Sequence, residues 1–205
     1  IVLAQDPAKR TGVARSIMEQ QYPRLHDYLA RFEDMLRARA AYRRYFDAAD
    51  PYWTMFNVGQ YTLAPWKVVW HRMGSAMRAA VCGPIRDKAI IPQETLCFVA
   101  ADTEREAHYL CGAINSRAFE FAVRSYSQKG GKSFASPHVL QRLRVPDFDA
   151  KTGIHAQLAD LSRDAHAAAF ADDDSEVRTL ESAIDRCAAE LWGITSEELL
   201  EMAED

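Results

Sequence analysis

The chain has no apolar run approaching the length of a membrane span, so no membrane partner is expected. Its opening, Ile1-Val2-Leu3-Ala4-Gln5-Asp6, carries neither an initiator Met nor a signal-peptide pattern, and a piece of a longer polypeptide is the expectation. Cysteine is sparse. The four, at 82, 97, 111 and 187, stand too far apart for a zinc knuckle or a redox pair, which predicts reduced, mostly buried thiols and a cytoplasmic location in a bacterium. His26, His71, His108, His138, His155 and His166 lack the paired helical spacing of a zincin, so no metal is expected. No Gly-x-Ser-x-Gly elbow is present. Gly131-Lys132-Ser133 resembles the end of a P-loop, but the position needing the first glycine is Tyr126. These absences leave catalysis within the chain without a visible constellation, and no cofactor is expected in it.

Asp50-Pro51-Tyr52-Trp53 resembles the Asp-Pro-Pro-Tyr motif with which amino-methyltransferases hold a flipped base, but it lacks the second proline. No glycine-rich strand-to-helix signature precedes it. The motif therefore reads as a decoy, with Trp53 packing at the start of a sheet.

What is present is a soluble-type composition of 205 residues, 48% hydrophobic and 26% charged, long enough for a real core and unlike a disordered or collagenous chain. The net charge of −4 hides a split. Residues 1–150 hold 21 Lys and Arg against 15 Asp and Glu, a surplus of six positive charges; residues 151–205 hold 4 against 14, a surplus of ten negative. A basic body can face an anionic partner while an acidic tail keeps the molecule soluble.

Pro23 opens a helical pattern in which Leu25, Tyr28, Leu29, Phe32, Met35, Leu36, Tyr42 and Phe46 recur at three- and four-residue steps. It predicts one long amphipathic helix with Arg24, Arg31, Arg37, Arg39, Arg43 and Arg44 along its other face. Short apolar stretches then predict strands near 60–64, 66–73, 78–82, 88–92 and 95–100. Thr103 with Glu106 predicts a capped helix interrupted at Asn115-Ser116, and Leu143-Arg144-Val145-Pro146 a short strand. Helices are expected at 154–170 and 176–192, and after Thr195 with its own capping box. The fold expected is α+β, a small curved mixed or antiparallel sheet flanked by helices. Its division is a linker over 1–22, a recognition domain over 23–150 and an acidic helical extension over 151–205.

Between the helices lies a basic and aromatic middle: Lys67, His71, Arg72, Arg78, Arg86 and Lys88 on strands or turns, then Lys129 and Lys132 in a Gly-Gly loop. Lysine and arginine neutralise phosphates, so Lys129 and Lys132 are the first phosphate candidates, with Arg72, Arg78, Arg86 and Lys88 in support. Gln128 and Ser133 could read base edges from the same loop.

Tyr52-Trp53, then Tyr61-Thr62-Leu63-Ala64-Pro65-Trp66-Lys67-Val68-Val69-Trp70, then Ala113-Ile114-Asn115-Ser116, a polar glycine loop and Leu143-Arg144-Val145-Pro146 occur in an order that resembles the specificity domain of TaqI-like and type IIG adenine-N6 DNA methyltransferases. The likeness spans residues 23–150, and Leu191-Trp192-Gly193-Ile194-Thr195 is similar to the helical C-terminus of the same enzymes. It implies a target-recognition module for double-stranded DNA, attached to an upstream methyltransferase domain that binds S-adenosylmethionine and carries an Asn-Pro-Pro-Tyr-type motif. Affinity would come from basic residues and specificity from loops in a groove. The alternative is an assembly module of a larger DNA-modification or phage-defence complex. An independent enzyme with a dispersed active site is a third reading.

Overall fold

The computed structural model describes residues 2–74, 76–127 and 137–202. The chain divides into two units, Ile1–Leu63 and Ala64–Asp205. This division differs from the expected boundaries at 22/23 and 150/151.

In the first unit, strands β1 (Gln5–Asp6) and β2 (Thr11–Gly12) pair antiparallel, Gln5 opposite Gly12. Helices α1 (Arg15–Gln21), α2 (Pro23–Ala30), α3 (Glu33–Ala38) and α4 (Ala40–Tyr45) follow. Ala4, Met18, Tyr42, Tyr52 and Trp53 form the core, so residues near the start of the chain pack with those around position 50. Gly12 is required there: a Cβ would lie 2.6 Å from Trp53 Cδ1. The single helix expected from Pro23 onward is three. Arg39 is extended and breaks the run; its guanidinium donates to the carbonyls of Leu36 (2.8 Å), Tyr52 (2.6 Å) and Thr54 (2.9 Å). Arg37 donates to Glu33, Tyr42 and the Ala48 carbonyl. Two of the six arginines assigned to a continuous solvent ridge are thus spent holding the chain that returns past them. Hydrogen bonds to distant carbonyls override helical periodicity.

In the second unit, β3 (Trp66–His71) is flanked by β4 (Ala79–Cys82) and β5 (Leu96–Ala101) in an antiparallel sheet of order β4-β3-β5, with Val68 opposite both Val81 and Val99. The architecture is α+β. Trp66, Val68 and Trp70 share one sheet face and pack on α5 (Glu104–Asn115) and α6 (Arg117–Tyr126) through Ala107, Cys111, Ile114, Phe119 and Val123. The opposite side of α5 brings Tyr109 and Ala113 against Leu158 and Ala159 of α8 (Gly153–Phe170) and Ile184 and Cys187 of α9 (Asp174–Trp192). Helix α5 is thus the middle layer, and α8 approaches closely because position 112 is glycine: a Cβ there would stand 3.0 Å from Leu158 Cδ1. The short helices α7 (Pro137–Leu140) and α10 (Ser196–Glu201) complete the described elements.

The caps are local. Thr103 Oγ1 accepts from Glu106 N (3.1 Å), while the Glu106 carboxylate reaches Asp102 N rather than closing the box on Thr103. Ser116 caps α6 where the interruption was expected. Thr195 and Glu198 form a complete capping box.

Three expected strands are not strands. Residues 60–63 form a 3-10 turn, in which Thr62 Oγ1 accepts from Gly59 N (3.1 Å) and a local hydroxyl partner replaces a ladder. Residues 88–92 end in Pro92 and contribute no strand; Lys88 instead closes a tight turn with Ile85. Residues 143–146 contribute no strand; the Arg144 carbonyl accepts instead from Trp192 Nε1 (3.1 Å) and the Pro146 carbonyl from the Tyr109 hydroxyl (2.9 Å).

Candidate nucleic-acid interface

The short strand β4 carries basic residues at both of its ends. Arg78 immediately precedes it, and Arg72 sits at the end of β3 on the same side, its N–H donating to the Thr95 carbonyl (3.1 Å). Arg86 and Lys88 follow at the far end, in a turn closed by reciprocal Ile85–Lys88 backbone bonds of 3.0 Å. All four side chains are exposed. Arg86 and Asp87 both lie in the left-handed region, φ 49° and 61°. Two-residue hairpin turns demand that conformation, and non-glycine residues adopt it at a cost. The strand itself spans about 10 Å from Ala79 to Cys82 at roughly 3.3 Å per residue.

Strand β4 is held by side chains along its outer edge. Ala79 N–H donates to Asn115 Oδ1 (2.7 Å), and Asn115 Nδ2 donates back to the Ala79 carbonyl (2.8 Å). Val81 N–H donates to His166 Nε2 (3.0 Å), which requires the proton of that ring on Nδ1, bonded to the Ser162 carbonyl (2.8 Å). An edge that would otherwise offer free N–H and C=O groups is thereby closed. Beneath it, His108 Nδ1 lies 3.3 Å from Ser162 Oγ and its ring meets His166 edge to face at 5.0 Å. Burial, helped by the neighbouring His166 and Arg163, lowers His108 to about 4, so the ring is neutral at physiological pH. Cys111, fully buried, donates to the Ala79 carbonyl (3.4 Å), and burial raises its thiol to about 12.

Lys67 does not belong with the surface cations. It is 1% exposed, donates to the Ala64 carbonyl (2.6 Å) and lies 5.9 Å from the Phe98 ring centroid, and burial lowers its ammonium from the ordinary range. Alternation along the central strand decided this: Lys67 is on the face opposite Val68, and both faces are covered at that position. Cys97 is half-buried; burial raises its thiol while nearby Arg72 acts the other way.

Gln128, Lys129, Lys132 and Ser133 lie outside the described residues. Arg142 was not foreseen: it lies 5.6 Å from the centroid of the half-exposed Tyr126 ring. Arg144, also exposed, follows two residues later. Their signal in the sequence is position, an Arg-x-Arg just after the basic loop. Arg105 and Arg163 share Asp160, Arg117 pairs with Asp185 and Arg124 with Glu120, so the arginines of α5, α6 and α8 are neutralised. Arg72, Arg78, Arg86 and Lys88 form no ion pair among the described residues.

The Asp50-Pro51-Tyr52-Trp53 segment is structural. Tyr52 and Trp53 are 1% and 4% exposed, and Trp53 Nε1 donates to the Val13 carbonyl (2.9 Å). Trp53 packs beside Gly12 of β2, in the core of the first unit. The Asp50 carbonyl accepts from the Tyr42 hydroxyl (2.6 Å). Among the described residues, no group of three or more His, Cys, Asp or Glu side chains could hold a metal ion. No helix of the described residues is long and apolar enough to cross a membrane. No family model matches the chain, and no curated protein matches it.

Proposed function

We propose that this chain is the DNA-recognition module of a bacterial adenine-specific methyltransferase or restriction-modification enzyme, meeting duplex DNA through the turns of its three-stranded sheet. One observation carries the reading. Four cations on the turns beyond the two ends of β4 stand exposed and without ion pairs among the described residues, while α5, α6 and α8 pair theirs with carboxylates. Phosphates would supply the missing counter-charge. Chemistry, with S-adenosylmethionine, would belong to a methyltransferase domain outside this chain.

The test is the salt dependence of binding to a mixed-sequence duplex. Each phosphate contact removed lowers the slope of log K against log salt by about 0.9. Replacing Arg72, Arg78, Arg86 and Lys88 by Ala together should flatten it by about 3 to 4. An unaltered slope removes the sheet turns from the interface.

A second reading, an assembly module within a DNA-modification or phage-defence complex, is favoured by Phe170. It ends α8 at 95% exposure, next to the acidic turn Asp172, Asp173 and Asp174. A Phe170→Ser variant that changes oligomeric state and leaves duplex affinity intact would support assembly over groove reading.

A further inference from the structure

The first unit holds an aromatic and basic surface that has no part in the sheet. Tyr45, the last residue of α4, stacks on Phe56 with ring centroids 4.0 Å apart and planes inclined by 15°. The Arg44 guanidinium lies 5.2 Å from the Tyr45 ring centroid. Tyr45 and Phe56 are 48% and 49% exposed, and Arg43 and Arg44 are exposed with no ion pair among the described residues. Rings that served the core would be turned toward Tyr42 and Tyr52; these two are stacked at the surface instead.

The backbone presenting Phe56 is braced. Asn57 takes the left-handed conformation at φ 60°, which asparagine tolerates better than other side-chain-bearing residues. The Tyr61 hydroxyl holds it, donating to the Asn57 carbonyl (2.7 Å), with Asn57 Oδ1 at 2.9 Å. On the other side of Phe56, Arg39 fixes the carbonyls of Tyr52 and Thr54. Phe56 therefore projects from a loop clamped at both ends.

We infer that the Tyr45–Phe56 stack is a binding platform for an unpaired nucleobase of a single-stranded nucleic acid, with Arg43 and Arg44 holding the adjoining phosphates. A base laid on Phe56 would extend the existing stack by one ring, and every base has a face for this, so the site is tolerant of sequence. The guanidinium beside Tyr45 adds charge where a phosphate follows the base. This platform is independent of the duplex reading for the sheet, and either can fail alone.

The experiment measures fluorescence anisotropy of labelled oligodeoxyadenylate and oligoriboadenylate with the full chain. The wild type is expected to bind. Phe56→Leu, which keeps apolar bulk but removes the ring, and Tyr45→Ala should each weaken binding by roughly 5- to 150-fold, the loss associated with one base stack. Phe56→Trp should retain affinity. Thermal melting of the leucine variant shows that it is folded. A preference for either oligonucleotide supports the platform and names its source as DNA or RNA. Equal affinity of wild type and Phe56→Leu overturns it. So does a wild type that binds neither strand but forms a dimer abolished by Phe56→Leu, which would make this face a protein interface.

Discussion

Acid should weaken the second unit through a single ring. His108 is 6% exposed between α5 and α8, with Ser162, His166 and Arg163 about it and Asp164 acting weakly in the other sense. Burial, with His166 and Arg163 beside it, holds it at about 4 when folded, against an ordinary value of 6.5. Between those limits the unfolded chain takes up a proton that the folded chain refuses, so stability is full above pH 6.5 and falls as pH drops toward 4. At about 1.4 kcal/mol per pH unit, the loss over the window is about 3 kcal/mol. Chemical unfolding of wild type and His108→Gln, followed by circular dichroism at several pH values, reads this contribution, because titrating groups remote from the ring cancel in the difference. The advantage of wild type over the variant should shrink by about 3 kcal/mol from pH 7 to pH 4. A difference that stays constant with pH refutes the reasoning. Should the variant not fold, the ring resonances of His108 in the wild type give the same answer, and a titration midpoint near 6.5 would refute it.

Two further substitutions probe the turns of the sheet. Asp87→Gly removes a left-handed aspartate at φ 61°; relief of about 1 to 3 kcal/mol, set against roughly 0.5 to 1 for the added glycine entropy, should leave a gain of about 1 kcal/mol in urea unfolding. It also strips an acid from between Arg86 and Lys88, so duplex affinity should rise, and a loss of either stability or affinity would contradict the turn geometry. Gly83→Ala should cost about 1 to 3 kcal/mol, because its Cβ would come within 2.4 Å of Trp66 Cζ3 and the indole is held in the core of the unit. A neutral effect would show that Trp66 yields freely.

Much of the helical part was legible because its signals are local. Thr103, Asp173 and Thr195 each accept from the N–H three residues on, and the apolar spacing after them selects one buried stripe. The sheet was legible where alternation was strong: Trp66, Val68 and Trp70 do share a face against α5. Failures came where a long-range hydrogen bond took over. Nothing near Arg39 in the sequence says that Tyr52 and Thr54 will return to it, and nothing near Val145 says that Trp192 and Tyr109 will satisfy the carbonyls beside it. The candidate site suffered in the same way. Composition counts Lys67 with Arg72 and Arg78, but only the order of strands puts β3 in the middle and its lysine out of reach of solvent.

The closed edge of β4 limits how a partner can engage the sheet. An exposed edge recognises by backbone, adding a strand with little regard for side chains. Asn115 and His166 occupy the outward groups of Ala79 and Val81, so an incoming strand would have to break three hydrogen bonds before making its own. What β4 presents instead is the side chains at its two ends, positively charged and carried on turns whose backbone is fixed by reciprocal bonds or by the pinned strand. Rigid backbone with free cations favours an anionic surface of regular spacing over an extended peptide, because little conformational entropy remains to be lost on binding. Removing the pins with Asn115→Ala should therefore loosen the Arg78 end while leaving the charge count intact. The log K against log salt slope for duplex should then stay near its wild-type value as affinity falls, whereas a slope that collapses would mean that Asn115 itself holds a contact.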